Sequence, residues 1–208
     1  MSPREEVLAR IRAANRAAGA QLPDVPRDYR RAGTHPPGAS PLLDLLRDRL
    51  LDYRATVVVT DDNGIPAAVA DALRTAGGPV VIPPGLPSTW CPHGVPDTDD
   101  VPAAALGGFA AVVTACAAAC ADTGTIVLDA APDQGRRALT LVPDVHICVV
   151  RADQVVQTVP ELLARVDSFR PLTFISGPSA TSDIELERVE GVHGPRTVTV
   201  VLVADGSP

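Results

Sequence analysis

The chain contains no lysine; all 18 of its basic residues are arginine. This removes whole mechanisms, because a P-loop needs a lysine on its phosphates and Schiff-base chemistry, including the pyridoxal phosphate type, needs a lysine amine. Aromatic residues are scarce as well, at 3% against a hydrophobic content of 46%. A core of small and branched aliphatic side chains follows, of the kind that suits closely packed parallel strands. No run of about 18 apolar residues occurs, and the first 20 residues are charged and helix-patterned, without the apolar stretch of a signal peptide. We therefore expect no membrane insertion and a cytoplasmic location with reduced thiols. The net charge is −7 with no basic cluster, so the electrostatic footprint of a nucleic-acid binder is missing. The four cysteines, Cys91, Cys116, Cys120 and Cys148, match neither a zinc ribbon nor a ferredoxin run. The expectation is no metal site and no cofactor bound by this chain alone.

The 208 residues suit one domain with an N-terminal appendage. Ser2, Pro3 and Glu5 form a helix start with a capping box, and Val7, Leu8 and Ile11 form a short apolar stripe after it. Residues 19–41 are rich in proline, glycine, arginine and aspartate without a period, which reads as an arm over the surface. The division expected is an N-terminal helix and arm over 1–40 and an α/β domain over 41–208. Ser40 and Pro41 open a second helix over 42–51 with Leu42, Leu45, Leu46 and Leu50 on one face. A buried strand over 56–60, a helix over 65–75 and a strand over 80–82 make a β-α-β unit with the usual right-handed crossover. After a proline-rich loop over 83–102, strands are expected at 110–114, 125–128, 145–150, 172–175 and 198–203, with a helix at 160–166. The fold class is α/β, an open and mostly parallel Rossmann-like sheet with helices on both faces.

The most chemically specific stretch lies between the last two strands. It contains Gly177-Pro178-Ser179, Thr181, Asp183-Ile184-Glu185 and then Gly191-Val192-His193-Gly194-Pro195. This resembles the signature of the LUD-domain family of lactate utilisation proteins. A second segment is similar to the same family in order and spacing: residues 122–128, Asp-Thr-Gly-Thr-Ile-Val-Leu, followed by Arg137, Leu139, Leu141, Pro143, Val145, His146 and Ile147. Two positions depart from the pattern, which usually has Glu where this chain has Asp122 and a basic residue where it has Ala180. If that basic residue helps hold an anion, this chain holds it less tightly.

The resemblance implies a fold similar to the sugar isomerase and coenzyme A transferase group. It also implies a subunit or accessory protein that oxidises L-lactate to pyruvate together with two iron–sulfur partner proteins, the clusters residing in those partners. Lactate oxidation needs an electron acceptor, and the chain offers neither a complete dinucleotide fingerprint nor a cluster ligand set. The alternative is a stand-alone enzyme that binds a small anion or phosphorylated ligand, like the isomerases, coenzyme A transferases and folate cyclo-ligases of similar fold.

The residue types allow a ligand site and plain structure alike. Gly177, Ser179, Thr181 and Ser182 offer backbone and hydroxyl donors, and a helix starting near Ser182 would favour an anion, yet the same residues are ordinary helix caps. Asp183 is the candidate base, or a residue that holds a polar loop together; Glu185, two positions on, is a poor second member of a carboxylate pair. Glu187 and Glu190 read as solvated. His193, between two glycines, is the second catalytic candidate, because an imidazole's ordinary pKa of about 6.5 suits proton transfer; otherwise it hydrogen-bonds its own turn. Thr123, Gly124 and Thr125 would contribute ligand contacts if their turn converged with residues 177–183. His146 reads as a core histidine, His35 lies in the arm, and Cys91 with His93 lacks further metal ligands. Arg136 and Arg137 could neutralise a carboxylate or phosphate, or simply be exposed.

Overall fold

The structure, a computed structural model, describes residues 2–17, 24–98, 101–181, 189–191 and 193–204. In chain order its helices and strands are α1 (Pro3–Ala17), α2 (Ser40–Asp52), β1 (Thr56–Thr60), α3 (Ile65–Leu73), β2 (Val80–Ile82), β3 (Val95–Pro96), β4 (Ala111–Thr114), β5 (Ala118–Cys120), β6 (Thr125–Leu128), β7 (Val145–Arg151), β8 (Val155–Val156), α4 (Val159–Leu163), β9 (Thr173–Ile175), β10 (Ala180–Thr181), β11 (Val189–Glu190) and β12 (Thr197–Val203). Six strands form an all-parallel sheet in the order β1-β12-β7-β4-β2-β3. The α/β architecture with a mostly parallel main sheet is as expected.

Alternation along the central strands feeds two cores. On one face, Val113, Ile147, Val149, Val201 and Val203 pack with Ile65, Ala68 and Val69 of α3. On the other, Cys148, Val150, Val198, Val200 and Leu202 pack with Leu42, Leu46 and Leu50 of α2. These three leucines are essentially unexposed, and each contributes about 2 kcal/mol or more of burial free energy. Helices thus cover both faces.

The second face carries something more, a four-stranded sheet in the order β8-β5-β6-β9. Two strands expected in the main sheet, β6 and β9, belong to it. The reason is chain length. Four residues separate Cys120 from Thr125, whereas a parallel crossover needs about a dozen. β5 and β6 are therefore an antiparallel hairpin, and β9 adds to β6 antiparallel as well.

Smaller differences have local causes. Ser40 is the first helical residue of α2 rather than its cap, because the cap position falls on Ala39 and no side chain bonds there. The capping box of α1 forms, with Ser2 N–H donating to Glu5 and Glu5 N–H to Ser2 Oγ, but the helix buries no residue. α4 is shorter than the expected 160–166 helix, and the loop over 83–102 contains the edge strand β3. The arm lies on the second sheet. Gly38 N–H donates to the Val155 carbonyl at 3.0 Å, Thr34 N–H donates to Gln157 Oε1 at 2.7 Å, and Arg30 pairs with Asp122 at 2.8 Å. The aspartate that replaces the family's usual glutamate is thus an arm contact. The anticipated helix start near Ser182 lies outside the described residues; its flanks, β10 and β11, pair antiparallel.

Candidate functional site

A cavity of about 290 Å³ opens between the two sheets. Its walls come from the turn before β7 (Thr140, Leu141), from β7 and β12 (His146, Val198), and from β9 onward through residues 173–180 and 193–195. It lies at the amino-terminal ends of β7 and β12, whereas open α/β sheets usually bind ligands beyond the carboxyl ends. The second sheet makes this position possible by adding a wall that a simple Rossmann-like layer lacks.

The two halves of the glycine-rich segment meet at this cavity through Ser179. Its Oγ accepts the His193 backbone N–H at 3.1 Å. Its own N–H donates to the Pro195 carbonyl at 2.9 Å, and its carbonyl accepts the Gly191 N–H at 2.8 Å. One serine thus ties down three points of the 191–195 turn. Gly177 is buried with φ +80°, and a Cβ there would lie 2.6 Å from Tyr53 Cβ and 2.8 Å from the Tyr53 carbonyl oxygen. Only glycine lets the chain pass the end of α2 and bring Pro178 and Ser179 to the cavity.

Gly177, Ser179 and His193 all line the cavity, with the His193 side chain exposed at its mouth. Asp183 and Ser182 lie outside the described residues, as do Glu185 and Glu187. Thr181 belongs to β10. Thr123, Gly124 and Thr125 do not line the cavity. Thr123 Oγ1 donates to Thr125 Oγ1 at 2.8 Å, and Thr125 Oγ1 bonds Ser176 Oγ at 2.9 Å. They reach the cavity wall only through Ser176. Gly124, at φ +62°, packs against Arg49 of α2 instead.

His146 sits in the apolar β7, as the sequence suggests, and is fully buried. It is nevertheless part of the cavity wall. Nε2 shares a hydrogen bond of 2.8 Å with Thr114 Oγ1, and Nδ1 has no partner among the described residues. Burial lowers its pKa to about 4, so the ring is neutral near pH 7. Nothing in the local sequence marks a core histidine as half-satisfied beside a cavity.

An outer cleft shares Leu141, His193 and Gly194 with the cavity and adds Arg137 and Asp144. The two arginines therefore separate in role. Arg136 is engaged bidentately by Asp97 at 2.7 and 2.8 Å and donates to the Val101 carbonyl. Arg137 is exposed and makes no ion pair among the described residues. Only two thiols are neighbours: Cys116 and Cys148 lie side by side between the sheets, whereas Cys91 lies in the α3 core and Cys120 on the outer face of the second sheet. This donor set does not fit an iron–sulfur cluster. Among the described residues no three of His, Cys, Asp and Glu gather as a metal site, and no helix is long and apolar enough to cross a membrane.

The family model described as LUD domain matches residues 104–203. Lactate utilization protein C of Deinococcus radiodurans is 45% identical over 209 residues, covering 97% of each chain. The chain belongs to the LUD-domain family, of the lactate utilisation protein C type. The Bacillus subtilis protein of the same name is 28% identical over 198 residues, 80% of each chain. A crystal structure of a DUF162 family protein from Deinococcus radiodurans matches with a TM-score of 0.67 and 41% identity, over 79% of this chain and 97% of that one. These relatives support a role in lactate utilisation. The matched region contains every residue that lines the cavity.

Proposed function

We propose that this chain is the non-redox subunit of a system that oxidises L-lactate to pyruvate, acting with two iron–sulfur partner proteins. The observation that carries the reading is that the two halves of the family's signature segment, residues 177–179 and 193–195, meet around one small cavity. The thiols, of which only Cys116 and Cys148 are neighbours, support placing the redox centres in the partners. Oxidation of lactate releases two electrons and two protons, and the electrons leave this chain's reach. Its contribution is to bind a small anion or present a partner surface, with Ser179 fixing the turn and His193 at the mouth as a proton carrier. Asp183, on the same segment, is the candidate base. The test is lactate-dependent dye reduction by the reconstituted three-protein mixture with and without this chain. Loss of activity on omission supports the reading, and unchanged activity removes it.

One observation favours a second reading, a stand-alone enzyme for a phosphorylated ligand. Arg137 stands without an ion pair among the described residues in the outer cleft, where an anionic group could meet it. Strong thermal stabilisation by a phosphorylated compound would favour this reading, since ligand at a hundred times its dissociation constant adds about 2.7 kcal/mol.

A further inference from the structure

We propose that β1 is a docking edge for a second copy of this chain. The two β1 strands pair antiparallel about a two-fold axis through Val58, and the main sheets of the two molecules become one continuous sheet.

The two edges of the main sheet are unequal. At one end lies β3, which is two residues long and closes on Pro96, a residue with no N–H to offer a neighbour. At the other end lies β1, Thr56–Thr60, with neither a proline nor a charge, and its register with β12 runs without a bulge. Bare strand edges invite pairing through their free N–H and C=O groups, and charges, prolines or bulges usually guard them. β1 has none of these guards, and Val59 is 53% exposed.

The hydrogen bonds identify the groups that are available. The Thr60 carbonyl accepts the Ala204 N–H at 2.9 Å and so faces β12. Successive residues of a strand direct their N–H and C=O groups to opposite sides. Thr56, Val58 and Thr60 therefore bond to β12, and Val57 and Val59 turn theirs outward, where no strand pairs with them among the described residues.

This edge is its own complement. Thr-Val-Val-Val-Thr reads the same in both directions. With Val58 opposite Val58 of the second copy, Val57 falls opposite Val59, so the outward groups of one copy meet those of the other and each such pair exchanges two hydrogen bonds. A slip of one residue would set outward groups against groups already bonded to β12. Thr56 falls opposite Thr60, a favourable cross-strand pair. Charge agrees with the direction. Arg54 precedes the strand and Asp62, which also pairs with Arg151, follows it, both exposed; antiparallel pairing brings the arginine end of one copy to the acidic end of the other, whereas parallel pairing would set like against like. Val57 packs against the α2 core and Val59 shares its face, so the pairing also covers the Val59 side chains. The two-fold uses up the β1 edge and Pro96 closes the other, so assembly stops at two copies.

The test uses the full chain in sedimentation equilibrium over a wide range of concentration, and a monomer–dimer equilibrium is expected. Val59→Asp, shown to be folded by circular dichroism, should raise the dissociation constant at least about tenfold, because it puts a charge into the pairing edge. Val58→Cys, treated with the thiol oxidant diamide, should give a covalent dimer. Residue 58 faces itself in a non-hydrogen-bonded pair with Cα atoms about 4.5 Å apart, within disulfide reach. Thr56→Cys faces residue 60 instead and should cross-link poorly, and the four native thiols are buried, so the parent treated alike should stay unlinked. The proposal is overturned if the parent is monomeric at every concentration, if folded Val59→Asp dimerises as the parent does, or if Val58→Cys cross-links no better than Thr56→Cys. Should Val59→Asp fail to fold, the two cysteine variants decide.

Discussion

The Oγ of Ser179 accepts the backbone N–H of His193 across fourteen positions of sequence, closing the loop that carries the family's signature onto itself. Removing that acceptor should free the turn without emptying the core. Ser179→Ala is expected to cost about 1 kcal/mol, the usual net value of one hydrogen bond. Amide exchange at Gly191, His193 and Gly194 should accelerate while exchange in β7 and β12 stays unchanged. Exchange by mass spectrometry, with chemical denaturation alongside, reads both effects.

Gly177→Ala should be more damaging. The new Cβ would meet Tyr53 at the end of α2 and would also occupy a left-handed conformation, for a combined cost of about 2 kcal/mol or more. Ala180→Gly, three residues on at an exposed position, should cost far less. Melting temperatures of the two variants check the contrast.

The buried His146 makes stability depend on pH in a stated direction. Its pKa is near 4 in the folded protein and about 6.5 when the chain is unfolded. The unfolded state therefore takes up the proton first as pH falls. This residue's effect leaves stability intact above pH 6.5, erodes it between 6.5 and 4, and levels off below. Between pH 7 and pH 5 the loss is about 2 kcal/mol. Urea unfolding at the two values should show a smaller decrement in His146→Leu than in the parent; equal decrements would contradict the assignment.

Asp97 and Arg136 form the bidentate pair that anchors the segment before Arg137. Asp97 is almost completely buried, whereas a third of the Arg136 side chain is exposed, so Asp97→Ala is expected to cost about 2 kcal/mol rather than the full value of a buried pair. Arg136→Lys should not restore the loss of the fork, because an ammonium cannot engage both carboxylate oxygens in the same planar geometry. Denaturation of the single and double variants measures the coupling.

Much of this is legible in the sequence. The leucines of α2, the valine strands and the alternation along β7 follow from periodicity, and residues 177–195 stood out by composition. The second sheet is not legible because β6 and β9 have the same aliphatic character as the main strands and the alanine-rich β5 carries no strand signal. Only the short connection after Cys120 betrays the hairpin. Thr123 and Thr125 are expected as ligand contacts if their turn converges with residues 177–183, but their hydroxyls are taken up in bonds that end at Ser176. His146 could not be separated from an ordinary core histidine, because its unmet nitrogen depends on which side chains the second sheet brings opposite it. That is a tertiary property with no local signature.

The most direct test of the central claim is lactate-dependent dye reduction by the three-protein mixture in which this chain is replaced by His193→Ala, shown beforehand to be folded and to assemble with the partners. The account predicts that omitting the chain abolishes activity and that the variant falls at least about tenfold below the parent, the effect expected when a proton-transfer group is lost. Activity equal to the parent, from the variant or from the mixture without the chain, would contradict it.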